Sequence, residues 1–169
     1  MEVTLCTIGF AGKTAEQFFS LLAEAGVRRV LDIRENRGGQ LSGFAKHPDL
    51  AFFLQRLAGI EYEHEPRLAP TPEIRKAYRA TKDWQQYEAA FLALMQERGF
   101  PGAVEVPLAG GTLALLCSEA GPEKCHRRLV AELLAEHLRA QGQAVEVRHL
   151  AVLKPRPKKR KQKQASSNA

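Results

Sequence analysis

The feature that most constrains this 169-residue chain is the regular alternation of short apolar runs with longer segments of helical periodicity. The apolar runs, bounded by Gly, Pro or polar residues, are predicted strands at residues 1–8, 27–33, 60–64, 112–117 and 144–150. Segments with apolar residues at helical spacing are predicted helices at about residues 14–25, 49–58, 72–80, 84–98 and 122–140. This alternation predicts a three-layer α/β fold, Rossmann-like, in which helices cover both faces of a mostly parallel sheet.

The charge of the chain is concentrated at its C-terminal end. The sequence has 25 Lys plus Arg, 19 Asp plus Glu and a net charge of +6. Seven basic residues and no acidic residue lie in residues 154–169: Lys154, Arg156, Lys158, Lys159, Arg160, Lys161 and Lys163. Without those seven, residues 1–153 hold 18 basic and 19 acidic residues. We therefore expect one folded α/β domain at residues 1–153 and a disordered Lys/Arg-rich tail at 154–169.

The tail and the cysteine content indicate the partners and the compartment. Lys and Arg at this density favour polyphosphate, so nucleic acid is the expected partner of the tail; a solubilising or localisation role is the alternative. No apolar run approaches the roughly 18 residues of a membrane helix, and the N-terminus lacks signal-peptide features. Three cysteines are too few for a disulfide scaffold and are expected to be thiols in a reducing, cytoplasmic compartment.

Ligands of parallel α/β folds bind beyond the carboxyl ends of the strands. That rule selects residues 9–14, 32–44, 62–67 and 117–128. The candidate substrate-binding residues are Gly9, Lys13, Asp32, Arg34, Gln40, Phe44, Tyr62, His64 and Arg128. Two of these groups also have simpler interpretations: the glycine turn beside Lys13 is either an anion site at a helix start or only a turn, and Asp32 with Arg34 either orients substrate or forms a structural ion pair.

The strongest chemical signal is the segment at residues 117–128, which reads CSEAGPEKCHRR. Its candidate catalytic residues are Cys117, Glu119, Cys125, His126 and Arg127. A helix beginning at Pro122 would hold Cys125 near its positive end and lower the pKa of that thiol. Such a helix would also place Arg127 on the opposite flank from Cys125.

Three interpretations of this segment remain open. In the first, a cysteine is a nucleophile, His126 is an acid or base, and Arg127 or Arg128 binds phosphate. In the second, Cys117, Cys125 and His126 bind zinc, which is disfavoured because the spacing lacks a C-x₂-C knuckle and adjacent helical residues diverge by about 100°. In the third, the cysteines are small apolar core groups.

These residues together resemble the bacterial and archaeal Domain of Unknown Function 488 family. Motifs in order over about residues 3–150 carry the resemblance: Thr7-Ile8-Gly9, Asp32-Ile33-Arg34, Gly43-Phe44, Tyr62 and His64 before Leu68, Cys117-Ser-Glu119, Pro122, Cys125-His126-Arg127 and His149. The chain departs from the commoner pattern at Phe10-Ala11, where a polar residue and a serine are usual, and at Leu68-Ala69-Pro70, where paired glycines are usual. The loop near Gly43 also lacks the usual Ser-Arg. The resemblance implies the fold and the site but no reaction.

The sequence therefore predicts an intracellular enzyme that acts on a nucleotide, a nucleic acid or a related phosphorylated substrate. The alternative is a nucleic-acid-associated binding module whose polar cluster recognises a ligand without turnover. Neither the reaction class nor the oligomeric state follows from the residues.

Deletion of residues 154–169 is expected to leave the fold intact and to weaken nonspecific nucleic-acid binding. Seven positive charges release up to about six counterions on binding, so the slope of log affinity against log salt should flatten by several units. Titration of a labelled oligonucleotide at several salt concentrations measures the slope for both chains. An unchanged slope would place the nucleic-acid surface on residues 1–153, and a thermal midpoint lowered by more than about 5 °C would contradict an independent tail.

Overall fold

The computed structural model describes residues 2–38, 42–108 and 111–152. The described strands are β1 (Glu2–Gly9), β2 (Val27–Asp32), β3 (Glu61–His64), β4 (Thr112–Cys117) and β5 (Ala144–His149). The described α-helices are α1 (Ala15–Glu24), α2 (Asp49–Ala58), α3 (Pro72–Thr81), α4 (Trp84–Glu97) and α5 (His126–Ala140). No helix within these described ranges is long and apolar enough to cross a membrane.

Capping residues fix the ends of several helices. The predicted capping box of α1 is present, because the Thr14 hydroxyl accepts from the Gln17 amide and the Gln17 side chain accepts from the Thr14 amide. Thr71 and Asp83 cap α3 and α4 in the same way, each accepting from the amide three residues later. Gly59 ends α2 with a φ of 62°, a left-handed conformation that glycine adopts without steric cost.

The five strands form one sheet in the order β3-β2-β4-β1-β5, and every neighbouring pair is parallel. The predicted three-layer α/β architecture with a parallel sheet is confirmed. The order differs from the 3-2-1-4-5 order of the dinucleotide-binding fold, because β4 lies between β2 and β1.

Two apolar cores lie on opposite faces of this sheet. Phe18 and Leu22 of α1 and Leu50 and Leu54 of α2 are buried on one face. The second core contains residues of α4 and α5, with α3 packed against it. The chain thus leaves β1 and β2 toward one face and leaves β4 toward the other. Divergence of this kind opens a crevice at the carboxyl end of β4, where Cys117 lies.

The start of α5 differs from the sequence prediction. The helix begins at His126 rather than at Pro122, and Cys125 is its N-cap residue, in an extended conformation with φ −142° and ψ 138°. Residues 118–125 instead form a connection that passes over the end of β1, where the Ala11 amide donates to the Ser118 carbonyl at 3.1 Å. The predicted tail at 154–169 lies outside the described residues.

Candidate active site

Two cysteine sulfurs lie at the centre of the site. Cys117 is the last residue of β4 and Cys125 precedes the first turn of α5, and their Sγ atoms are 2.9 Å apart. Both residues are buried and both are free cysteines. At this distance one thiol can donate its hydrogen to the other sulfur.

The buried guanidinium of Arg127 contacts both sulfurs. Arg127 is only 1% exposed. Its Nη1 donates to Cys117 Sγ at 2.8 Å, to Cys125 Sγ at 3.5 Å and to the Glu119 carbonyl at 2.8 Å, while its Nη2 donates to the Ala120 carbonyl at 3.4 Å. Because a charge this deeply buried needs an opposite charge, Arg127 favours an ionised sulfur beside it.

The two thiols differ in how readily they lose a proton, and Cys117 ionises more readily than Cys125. Burial opposes ionisation of Cys117, but the hydrogen bond from Cys125 and the charge of Arg127 outweigh it and hold the pKa of Cys117 below its ordinary value. The pKa of Cys125 is raised, first because its proton bonds to Cys117 and then because of burial. The expectation of a lowered pKa at Cys125 was therefore wrong, since a bond to a distant residue outweighs the field of the helix. Arg127 was also expected on the flank opposite Cys125 and instead contacts it.

His126 is held as a neutral imidazole beside Cys125. Burial lowers the pKa of His126 to about 4. Its Nε2 lies 3.2 Å from the Ile33 carbonyl, which only accepts, so the ring proton is on Nε2 and Nδ1 is the free acceptor. That Nδ1 lies 4.0 Å from Cys125 Sγ. The Phe91 ring packs against the imidazole with ring centroids 5.7 Å apart. His126 is thus oriented to receive a proton from the Cys125 side.

Gly9 and Lys13 support the connection that carries the cysteines. A Cβ atom at Gly9 would overlap the Glu119 carbonyl oxygen and lie 2.7 Å from Arg127 Nη1. Lys13 Nζ donates to the Ala120 carbonyl at 3.4 Å, and burial with the nearby charge of Arg127 lowers the pKa of Lys13. Both residues therefore position the backbone of residues 119–120.

Asp32, Arg34, Tyr62 and His64 form a second polar network at the same edge of the sheet. Arg34 Nε and Nη2 donate to the two Asp32 carboxylate oxygens at 2.8 and 2.7 Å, and the Arg34 amide donates to Oδ1 at 3.1 Å. The Tyr62 hydroxyl donates to Oδ2 at 2.7 Å, and burial followed by the Asp32 charge raises the pKa of Tyr62 to about 12. His64 Nε2 lies 2.7 Å from the Arg34 carbonyl. The buried Asp32 carboxylate accepts four hydrogen bonds, so its role is to hold Arg34.

A cavity of about 530 Å³ opens beside Cys125 at the carboxyl edge of the sheet. Its basic lining residues are Arg34, Arg75, Arg79, Lys82 and Lys124, and its acidic ones are Glu35 and Glu119. Arg34 is neutralised by Asp32, and Arg75 by Glu35. Among the described residues, Arg79, Lys82 and Lys124 have no ion-pair partner. The cavity therefore favours an anionic ligand.

Several predicted residues lie away from this cavity. Phe44 packs against Phe18 and Phe19 of α1, with ring centroids 5.4 and 6.1 Å away. Arg128 donates to Glu132 on its own helix and to Glu88 on α4. Neither residue lines the cavity. Gln40 lies outside the described residues, as do the tail cations.

The cationic wall of the cavity, formed by Arg75, Arg79, Lys82 and Lys124, was not predicted from the sequence. Arg75 and Arg79 lie four residues apart on α3, and Lys82 is the left-handed residue that caps the C-terminal end of this helix. The spacing of four places Arg75 and Arg79 on one side of the helix and was readable from the sequence. Lys124 had no such signal, because its place at the cavity follows from the connection between β4 and α5.

The zinc interpretation has no side-chain cluster to support it within the described ranges. Cys117, Cys125 and His126 approach one another, but no group of three or more Cys, His, Asp or Glu side chains there is arranged to hold a metal ion. The two sulfurs are engaged by Arg127 instead.

A family model described as a domain of unknown function, DUF488, matches residues 14–134. The chain belongs to the DUF488 family. Comparison with curated proteins and with solved structures gave no match. The region matched to DUF488 contains Asp32, Arg34 and the whole connection from Cys117 to Arg127. It begins after Gly9 and ends before β5. His149, part of the wider resemblance, lies on β5, where its Nδ1 is 2.8 Å from the Thr7 hydroxyl.

Replacement of Gly9 by alanine tests the close packing of β1 against the Glu119 carbonyl. Because the added methyl group overlaps backbone, Gly9→Ala should lower the free energy of unfolding by about 2 kcal/mol or more. Gly43→Ala is the matched control, since a Cβ atom there meets nothing within 4 Å. Denaturant titration measures both variants. Equal stability of the two would contradict the packing described here.

The lowered pKa of His126 predicts acid sensitivity of the fold. The unfolded chain binds a proton at His126 near the ordinary pKa of 6.5, whereas the folded chain binds it only near 4. Stability contributed by the neutral ring is thus complete above about pH 6.5 and falls as the pH drops toward 4, by about 3 kcal/mol. His126→Gln should remove this part of the pH dependence. Denaturant titrations between pH 4 and 7 measure it, and a variant with the wild-type slope would contradict the assignment.

Proposed function

We propose that this DUF488 protein is an enzyme that acts on a nucleotide, a nucleic acid or a related phosphorylated substrate through nucleophilic catalysis by cysteine. The observation that carries the proposal is the Cys117–Cys125 pair: the two sulfurs lie 2.9 Å apart beside Arg127, and Cys125 lines a cavity whose Arg79, Lys82 and Lys124 have no ion-pair partner among the described residues. A nucleophile and a base within hydrogen-bond reach, with the base held by a third group, is the arrangement expected of covalent catalysis.

Cys125 is the proposed nucleophile because it lines the cavity, whereas Cys117 does not. Transfer of the Cys125 proton to Cys117, across 2.9 Å, gives a Cys125 thiolate at the cavity wall. His126 Nδ1 is a second acceptor for this proton. A bond then forms between the Cys125 sulfur and the electrophilic atom of the substrate, the bond from that atom to the leaving group breaks, and the leaving group takes the proton from Cys117 or His126. Arg127 compensates the negative charge throughout, whichever sulfur carries it.

The phosphate group is proposed to bind at Arg79, Lys82 and Lys124. Arg127 and Arg128 were expected in this role, but Arg127 is engaged by sulfurs and carbonyls, and Arg128 by Glu88 and Glu132. Arg79, Lys82 and Lys124 take the place of Arg127 and Arg128 as the proposed phosphate-binding residues. Glu119 also lines the cavity and is placed to accept a proton or to orient a hydroxyl group of the substrate.

The basic residues of 154–169 favour nucleic acid as the source of the substrate or as a docking partner. A mechanism that requires both sulfurs in the reduced form favours the cytoplasm as the place of action. A binding module without turnover is the alternative, and the same cationic cavity would serve it.

Substitution of cavity cations tests the proposed substrate class. Arg79→Ala should weaken binding of nucleoside mono- and triphosphates by about fivefold to tenfold, because it removes an unpaired cation from the cavity wall. Lys76→Ala is the matched control: it removes an exposed cation from the same helix but not from the cavity. Isothermal titration calorimetry with the full chain measures both variants. Equal affinities would show that the cavity does not bind the phosphates.

Turnover separates the enzyme from the binding module. With a phosphorylated substrate that the wild type converts, Cys125→Ser should retain binding and lose turnover, and intact-mass analysis of the wild type should detect a covalent adduct. Unchanged turnover in Cys125→Ser would refute the nucleophile. Phosphate-dependent binding with no turnover across mononucleotides, dinucleotides and oligonucleotides would favour the binding module.

A further inference from the structure

The structure assigns a redox function to the two sulfurs: we propose that Cys117 and Cys125 form a dithiol that hydroperoxides oxidise to an intramolecular disulfide. The Sγ atoms face each other at 2.9 Å, so a small movement of either side chain closes a bond. Cys125 lines the open cavity, which gives a small oxidant access to one of the two sulfurs.

The position of Arg127 supplies the chemical reason for reactivity. A thiolate, not a thiol, attacks a peroxide. Arg127 Nη1 contacts both sulfurs, so its charge stabilises a singly ionised pair, and the negative charge is on Cys125 when the proton is on Cys117. The third cysteine, Cys6, lies within β1, where burial raises its pKa to about 11. Cys6 therefore serves as an internal control.

The proposed oxidation has two steps. The Cys125 thiolate attacks one peroxide oxygen, an S–O bond forms, the O–O bond breaks and hydroxide leaves. Cys117 gives up its proton and attacks the Cys125 sulfur, an S–S bond forms, the S–O bond breaks and the second oxygen leaves as hydroxide. The singly protonated pair and one hydrogen peroxide thus yield the disulfide, one water and one hydroxide, with two electrons passing from sulfur to oxygen.

Reduction of this disulfide should be easy. The reduced pair is stabilised by hydrogen bonds and by the charge of Arg127, and the disulfide loses that negative charge. Stabilisation of the reduced form makes a disulfide more oxidising. Because the disulfide consumes the proposed nucleophile, oxidation would also stop the reaction proposed above, a consequence that rests on that proposed function.

Peptide mapping of the full-length wild type after treatment with hydrogen peroxide tests the proposal. Trypsin cleaves after Lys124, which lies between the two cysteines, so the disulfide appears as peptide 99–124 linked to peptide 125–127. The free thiols of the denatured protein should fall from the three of the sequence to one, and dithiothreitol should restore them. The variant Cys6→Ser should form the same linked peptides.

Two results would overturn the proposal: oxidation of Cys125 to sulfinic acid without linked peptides, or retention of all three thiols at peroxide concentrations that oxidise glutathione. Both measurements use the wild-type chain and do not depend on a variant that folds. The peroxide experiment contains no phosphorylated substrate, so its result is independent of the turnover test described above. Linked peptides here and no turnover there would refute only the proposed function. Turnover there and no linked peptides here would refute only the redox proposal.

Discussion

The buried guanidinium of Arg127 determines most of the site around it. Only 1% of this residue is exposed, and its Nε has no hydrogen-bond partner among the described residues. Removal of a guanidinium from water is costly unless an anion and several acceptors replace the water. The Cys117 sulfur is placed to supply the anion, and the carbonyls of Glu119 and Ala120 supply acceptors. An ionised Cys117 sulfur and a buried Arg127 guanidinium therefore stabilise each other.

The sheet order explains how these groups come together. β4 lies between β1 and β2, and the connection after β4 passes over the end of β1 before it enters α5. Gly9 permits this passage, because any larger residue would occupy the position of the Glu119 carbonyl. The carbonyls of residues 118–120 accept hydrogen bonds from the Ala11 amide just after β1, from Lys13 and from Arg127. The site is thus fixed by the centre of the sheet rather than by a surface loop.

Local patterns in the sequence were sufficient for the elements but not for the chemistry between them. The strands, the α1 capping box and the crowding of Cys117, Cys125 and Arg127 follow from spacing along the chain. The start of α5 does not, because Cys125 stays extended where its sulfur meets Cys117, a contact with a different element. The raised pKa of Cys125 was not predicted for the same reason.

The cationic wall of the cavity shows a second limit on what could be predicted from the sequence. The spacing of Arg75 and Arg79 predicts one basic side of α3, but the same spacing is common on solvated helices. Only the packing of α3 against the core shared with α4 and α5 brings that side to the carboxyl edge of the sheet. Arg34 and Arg127 are neutralised within their own networks, so the field that a ligand meets comes from the residues of this wall. Under the proposed function, substitutions on α3 change which anion binds while the sulfur chemistry stays the same.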